Sequence, residues 1–257
     1  MHLPIKKCPK CGHERLPEET EAPERCPACG VYFEKWANRD KFVPLRQRQP
    51  QEQTSDDDEF GWRAELHERL AATPELSTFQ LYGYTALLVL FALWGIRLAM
   101  LDVRDGEINS SFMHTILLPI HEAGHIFSIP FGEFFTILGG SLFQLLLPLI
   151  TAGTMLWQNR DPFGAALGIW WCGVSFIDLA PYIYDAKNPQ LTLLGGQTGE
   201  NGPHDWIYLL GSFGKIDQSQ SYGLMAHKLG ILIMVIALWW AGQVLWRSRK
   251  NTKKFDM

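Results

Sequence analysis

His121-Glu122-Ala123-Gly124-His125 is the stretch whose residue types and spacing point most directly to chemistry. On a helix, residues four apart share a face, so His121 and His125 point the same way. Glu122 stands beside the first. Two imidazoles at this spacing are zinc ligands, and the glutamate between them is placed to take a proton from water. The motif lies inside an apolar run over residues 112–131. Ionisable groups are expensive in a bilayer, so their presence in such a run marks a functional site by default.

A second set of chemical residues opens the chain. Cys8-Pro-Lys-Cys11 and Cys26-Pro-Ala-Cys29 are paired C-x-x-C units, and each is followed by a glycine, Gly12 or Gly30, that permits a tight turn. The pattern predicts a zinc ribbon over residues 1–36. So short a segment cannot bury a sufficient core, and zinc would supply its folding energy. A closed four-thiolate site has no open coordination position, so its zinc is structural. The ribbon could also dock a protein partner. Cys172 lies in an apolar stretch and reads as a small packing residue.

The remaining polar residues in apolar surroundings are few. Gln144 needs a partner, with the motif helix or its ligands among the candidates. Asp178 and Asp185 flank Pro181 near the end of an apolar run. His204 and Asp205 sit in a Gly-rich polar loop, with Asp205 a candidate N-cap for a short helix. A catalytic zinc keeps three protein ligands, so one of these must join the two histidines.

The elements that position these residues divide sharply. Residues 37–60 read as a polar linker, and residues 61–78 as an amphipathic juxtamembrane helix. Residues 79–246 are mostly apolar, and residues 247–257 form a basic tail. Apolar runs at 79–101, 112–131, 137–157, 163–184 and 226–246 approach the length needed for a hydrocarbon core about 30 Å thick. The expected fold is therefore mainly α: a polytopic transmembrane helix bundle of about five spans. Residues 1–10 have no apolar core, which predicts a cytoplasmic N-terminus. Five spans then leave the basic tail outside, against the positive-inside rule. A re-entrant element, a sixth span or an apolar helix that does not cross would repair the count. On the five-span count, the histidine motif faces the cytoplasm. A net charge of −4 with no basic patch excludes nucleic acid as an expected partner.

His121-Glu122-Ala123-Gly124-His125 and Asp178-Leu179-Ala180-Pro181-Tyr182-Ile183-Tyr184-Asp185 together resemble the site-2 protease family of intramembrane zinc metalloproteases. The resemblance covers residues 112–186. In that family a later Asn-x-x-Pro motif followed by Asp-Gly supplies the third ligand. It implies Asp178 at the asparagine position and Asp185 as the third ligand, with His204 its competitor and Asp178 and Asp205 next in line. The chain departs from the family pattern at Asp178, at Ala186 where glycine is usual, and in a Pro-to-Asp spacing one residue short. The expected activity is hydrolysis of peptide bonds in membrane-associated proteins, with Glu122 as the base. The expected metals are one catalytic zinc, held by His121, His125 and a third ligand, and one structural zinc held by Cys8, Cys11, Cys26 and Cys29. The expected setting is an inner or plasma membrane, with the lipid bilayer and a membrane protein substrate as partners. The alternative is a non-proteolytic metal-binding membrane protein, either a transporter or an adaptor that binds partners through the ribbon.

Overall fold

A computed structural model describes residues 6–17, 22–37, 55–194, 196–202 and 204–255. Linker residues 38–54 and the chain end at 256–257 lie outside the described residues. The chain divides into two compact units, Met1–Trp62 and Arg63–Met257.

The first unit is built on two copies of one turn. Gly12 N–H donates to Cys8 O at 2.9 Å, and Gly30 N–H donates to Cys26 O at 2.9 Å. Cys8 N–H reaches His13 O, and Cys26 N–H reaches Val31 O. Both glycines have φ above +70° (77° and 72°), in the left-handed region that a side chain disfavours. Single-residue bridges, Lys7 with Glu14 and Arg25 with Tyr32, flank the turns. Helix α1, Phe33–Ala37, follows. Phe33 packs with the buried Cys8 and Cys26.

Helix α2 spans Ser55–Ala71. It begins earlier than the expected juxtamembrane helix and takes in the acidic run at 56–59. Acidic residue types at a helix start are favoured by the macrodipole. It stops at Ala71 because Thr73 precedes Pro74, which disfavours helical backbone. In the second unit, Arg69 of α2 donates to Trp157 O and to Glu65.

The second unit holds α3 (Thr78–Ala99), α4 (Phe112–Ser128), α5 (Glu133–Trp157), α6 (Pro162–Asp185), α7 (Asp205–Ser212) and α8 (Ser219–Phe255). Local sequence sets the starts. Ser77 and Gln80 form a reciprocal capping box on α3. Ser111 caps α4 through His114 N–H. Asp161 caps α6 through Gly164 N–H, with Pro162 in its first turn. Among the described residues, four helices are long and apolar enough to cross a membrane: α3, α5, α6, and α8 with its preceding turn.

Helix α6 is the centre. Most of its residues are buried, whereas α3 buries only Gly95 and Leu98. Contacts along α6 give each neighbour's direction. Tyr84 meets Phe163 and Phe91 meets Trp170, so α3 runs parallel to α6. Gly168 lies against Ala152, while Asp178 bonds Gln144, so α5 runs antiparallel. Gly173 meets Gly230 and Tyr184 meets Gly223, so α8 also runs antiparallel. Small residues at these crossings let the backbones approach closely.

Helix α4 departs from the expected five-span order. It starts beside Trp94, which stacks on Phe112, in the second half of α3. It then passes Asp178 at His114 and Tyr182 at His121, so it runs parallel to α6 and to α3. Consecutive crossings alternate in direction, an order that α4 does not follow between α3 and α5. At 17 residues it is at the short end of the ~17–25 that a crossing uses. The segment 100–111 doubles back to start it. Leu98, Ile108, Met113, Leu117, Trp170, Val174 and Ile177 pack into one core around that return.

The outward faces are apolar. Phe79, Leu90 and Leu93 of α3, Leu146 and Ile150 of α5, and Leu232, Val235 and Trp239 of α8 are exposed. His121, Gln144 and Asp178 are buried. Apolar outward faces around a buried polar cluster are what a bilayer-embedded bundle presents.

Candidate metal centre

The central part of the site lies where α4 and α5 cross. Gly124 and Gly139 sit backbone to backbone, and a Cβ on either would collide with the other's carbonyl. This close approach brings the α4 histidines against α5. His125 Nδ1 donates to Thr136 O at 2.8 Å. His121 Nδ1 donates to Gln144 Oε1 at 3.0 Å. With both Nδ1 atoms committed as donors, each ring in its neutral form presents Nε2 as a lone pair.

Both Nε2 atoms face one carboxylate, that of Asp205. Its Oδ2 lies 2.9 Å from His121 Nε2 and 3.3 Å from His125 Nε2. Asp205 is the first residue of α7, and its N–H donates to Tyr182 Oη at 2.9 Å. The ligand atoms of His121, His125 and Asp205 all lie within 4.8 Å of one another, a group able to hold a metal ion. Glu122 adjoins this group and is half-buried, within electrostatic reach of His125 and Tyr182.

The donor set fits zinc. Two imidazole Nε2 atoms and a carboxylate oxygen converge, an arrangement that a cation satisfies when both rings are neutral. Zinc bonds of about 2.0–2.1 Å in a tetrahedron put ligand atoms roughly 3.3–3.4 Å apart, which the 3.3 Å His125–Asp205 spacing matches and the 2.9 Å His121–Asp205 spacing falls short of. Gly140 supplies the room. A Cβ there would lie 2.5 Å from His121 Nε2 and 2.6 Å from His125 Nε2.

The other candidate ligands stand elsewhere. Asp185 accepts from Gln190 N–H and Leu191 N–H, which ties down the turn after α6. His204 is the N-cap of α7, its Nδ1 accepting from Ile207 N–H at 3.4 Å, while its Nε2 lies 3.5 Å from Asp185 Oδ2. The ring of His204 packs on Tyr182, with centroids 4.3 Å apart. Asp185 and His204 thus hold the start of α7 and do not converge on the two motif histidines. The cap expected of Asp205 is made instead by His204, because the Asp205 carboxylate turns to the histidines. Asp178 bonds His114 and Gln144 and does not join the group either.

The four cysteines form the second group able to hold a metal ion. Cys8 Sγ lies 3.8 Å from Cys29 Sγ, and Cys11 Sγ lies 3.8 Å from Cys26 Sγ. Zinc bonds of about 2.3 Å give the same tetrahedral edge, roughly 3.8 Å. Burial pushes the Cys8 thiol up, but the N–H groups of Cys11 and Lys10 outweigh it and bring the thiol down to about 6. The His13 backbone pulls Cys11 down, yet the Cys29 sulfur, burial and the other sulfurs push it up to about 12. Four sulfurs this close cannot all ionise without a cation among them.

Three contributors had weak or no sequence signal. Asp205 read first as a cap, Thr136 acts through its backbone, and Gly140 acts through the side chain it lacks. Gln144 carried a signal, as a polar residue in an apolar run. Comparisons with protein-family models, curated proteins and solved structures find no match.

Proposed function

We propose that the chain is an intramembrane zinc metallopeptidase that hydrolyses peptide bonds of membrane-associated proteins. One observation carries this reading: His121 Nε2, His125 Nε2 and Asp205 Oδ2 converge, with Glu122 beside them. Zinc bound there would lower the pKa of water towards about 7 and polarise the scissile carbonyl. Glu122 accepts a proton from the attacking water on its carboxylate and returns it to the leaving nitrogen. One C–O bond forms, one C–N bond breaks, and water is the only co-reactant. His125 and His121 are held by Thr136 O and Gln144, so their Nε2 atoms stay aimed throughout. Ile126, Phe127 and Phe135 are exposed beside the histidines, a surface suited to an apolar substrate segment. The four cysteines hold a second, structural zinc, and the ribbon is free to bind a protein partner.

Four alternating crossings leave the segment leading into α3 and the end of α8 on one side. Arg247, Arg249 and Lys250 follow the apolar part of α8, which makes that side cytoplasmic. The site lies at the other end of α6, beside Tyr182 and α7. This reading reverses the cytoplasmic-facing site expected from five spans, and it obeys the charge rule.

The test is cleavage of a membrane-anchored substrate library by the purified full chain in detergent. Wild type should cut, and Glu122→Gln should not, while both hold two zinc ions per chain. Equal cleavage by both proteins would overturn the role of Glu122. Metal flux in proteoliposomes without any cleavage would replace the peptidase reading with transport.

A further inference from the structure

A hydrogen-bonded string runs from α4 through α6 and α5 back to α4. His114 Nδ1 donates to Asp178 Oδ1 at 2.9 Å. Gln144 Nε2 donates to Asp178 Oδ2 at 2.8 Å. Gln144 Oε1 then accepts from His121 Nδ1 at 3.0 Å. Gln144 is buried with both ends of its amide bonded, and Asp178 is buried too. Burying these groups costs free energy that packing alone would not require.

The direction of the string matters. A carboxylate can only accept, so Asp178 fixes the Gln144 NH2 toward itself. The amide oxygen is thereby turned to His121. An amide oxygen also can only accept, so His121 must carry its proton on Nδ1. In the neutral ring, the form that binds a metal, Nε2 is then unprotonated and aimed at Asp205. Flipping the amide would set its NH2 against His121 Nδ1 and its oxygen against Asp178, two acceptors facing each other. His114 occupies the other oxygen of Asp178, so Asp178 cannot turn toward a different donor without losing a bond.

We infer that Asp178 and Gln144, braced by His114, are positioning residues that set the tautomer and orientation of His121 for metal binding. This inference rests on the metal site proposed above. Such partners of a ligand histidine are worth ~10–100-fold in metal affinity. The Asp178 motif therefore contributes to the site through an intermediary and not as a ligand.

The test uses the full chain in detergent, with cobalt(II) as the probe. The four-sulfur site gives thiolate charge-transfer absorption and the histidine site does not, so the two affinities are read separately. Gln144→Leu should weaken the histidine site ~10–100-fold and leave the cysteine site unchanged. The double variant Gln144→Glu with Asp178→Asn reverses donor and acceptor between the two residues while still accepting from His121, so it should recover affinity to within a few-fold of wild type. Nitrogen-15 NMR of the wild-type zinc form should find the His121 proton on Nδ1. A Gln144→Leu protein with wild-type cobalt affinity would overturn the inference. So would a wild-type His121 protonated on Nε2, a readout that stands even if Gln144→Leu fails to fold. A wild-type chain binding only at its cysteines would overturn both this inference and the proposed site. Two metals per chain without peptidase activity would overturn the peptidase reading alone.

Discussion

Asp205 Oδ2 lies 2.9 Å from His121 Nε2, although 84 residues separate the two in the chain. The link is made by α6. Its Tyr182 accepts the Asp205 N–H, and its Asp185 stands 3.5 Å from the His204 that caps α7. The carboxylate that meets the histidines is therefore delivered by a loop and a cap, which hang from the end of the central helix.

Asp205→Ala is expected to remove most metal from the histidine site, lowering affinity by at least ~100-fold, since a ligand is lost outright. Asp185→Ala should cost ~10-fold or less, because it loosens the α7 cap without removing a ligand. Zinc titration of both variants against wild type checks this. A larger loss for Asp185→Ala than for Asp205→Ala would restore Asp185 as the ligand.

Glu122→Gln should retain zinc at both sites and lower kcat by ~10²–10⁴, the usual contribution of a positioned general base. Single-turnover cleavage with zinc content measured on the same sample reads both quantities. Loss of zinc together with activity would make Glu122 a ligand instead of a base.

Gly140→Ala separates packing from metal binding. Alanine favours the interior of a helix over glycine by about 1 kcal/mol, so α5 itself gains. The new Cβ would stand 2.5 Å from His121 Nε2 and fill the space beside both histidines. The expected result is a folded, fully helical protein whose histidine site no longer takes up zinc. Circular dichroism and metal analysis test the two halves, and normal zinc uptake would show that the ion sits away from Gly140.

Much of this architecture was legible from residue type. The apolar runs located α3, α5, α6 and α8, because a bilayer demands long uninterrupted apolar helices. The motif located α4, and the Cys-Pro-x-Cys-Gly repeats located the two ribbon turns. The direction of α4 was not legible. Its length and composition suit a short span, and only the return of segment 100–111 beside Trp94 shows that it repeats the direction of α3. The third member of the metal group was hidden for a related reason. Asp185 and His204 have the residue types of ligands, but their side chains are committed to Gln190, Leu191 and Ile207. Such commitments are long-range facts that spacing does not encode. Gln144 was detectable as an anomaly, yet its partners required the packed bundle.

Zinc removal should act on the ribbon first. With no sizeable core beyond Cys8, Cys26 and Phe33, the described part of the first unit depends on the metal for its turns. A chelator should abolish ordered amide signals from residues 6–17 and 22–37 while the helices of the second unit persist. Cys8→Ser should do the same without chelator. Retained order in that variant would mean that the turns stand on their own hydrogen bonds.

The orientation of the site gives the most decisive whole-molecule prediction. Lys215 is exposed just beyond α7, the helix that Asp205 begins, and Asn251 is exposed near the end of α8. Only α8 lies between them, so on the four-span reading these two positions are predicted to lie on opposite faces of the bilayer. Asn251 shares its face with Arg247, Arg249 and Lys250, which the positive-inside rule assigns to the cytoplasm. In sealed vesicles of known orientation, Lys215→Cys should react with a membrane-impermeant thiol reagent only from the extracytoplasmic side. Asn251→Cys should react only from the cytoplasmic side. Labelling of both from one side would mean that α8 does not cross the bilayer between them, and the four-span reading would fall. The substrate peptide bond is accordingly expected in the extracytoplasmic half of the bilayer, where His121, His125 and Asp205 lie.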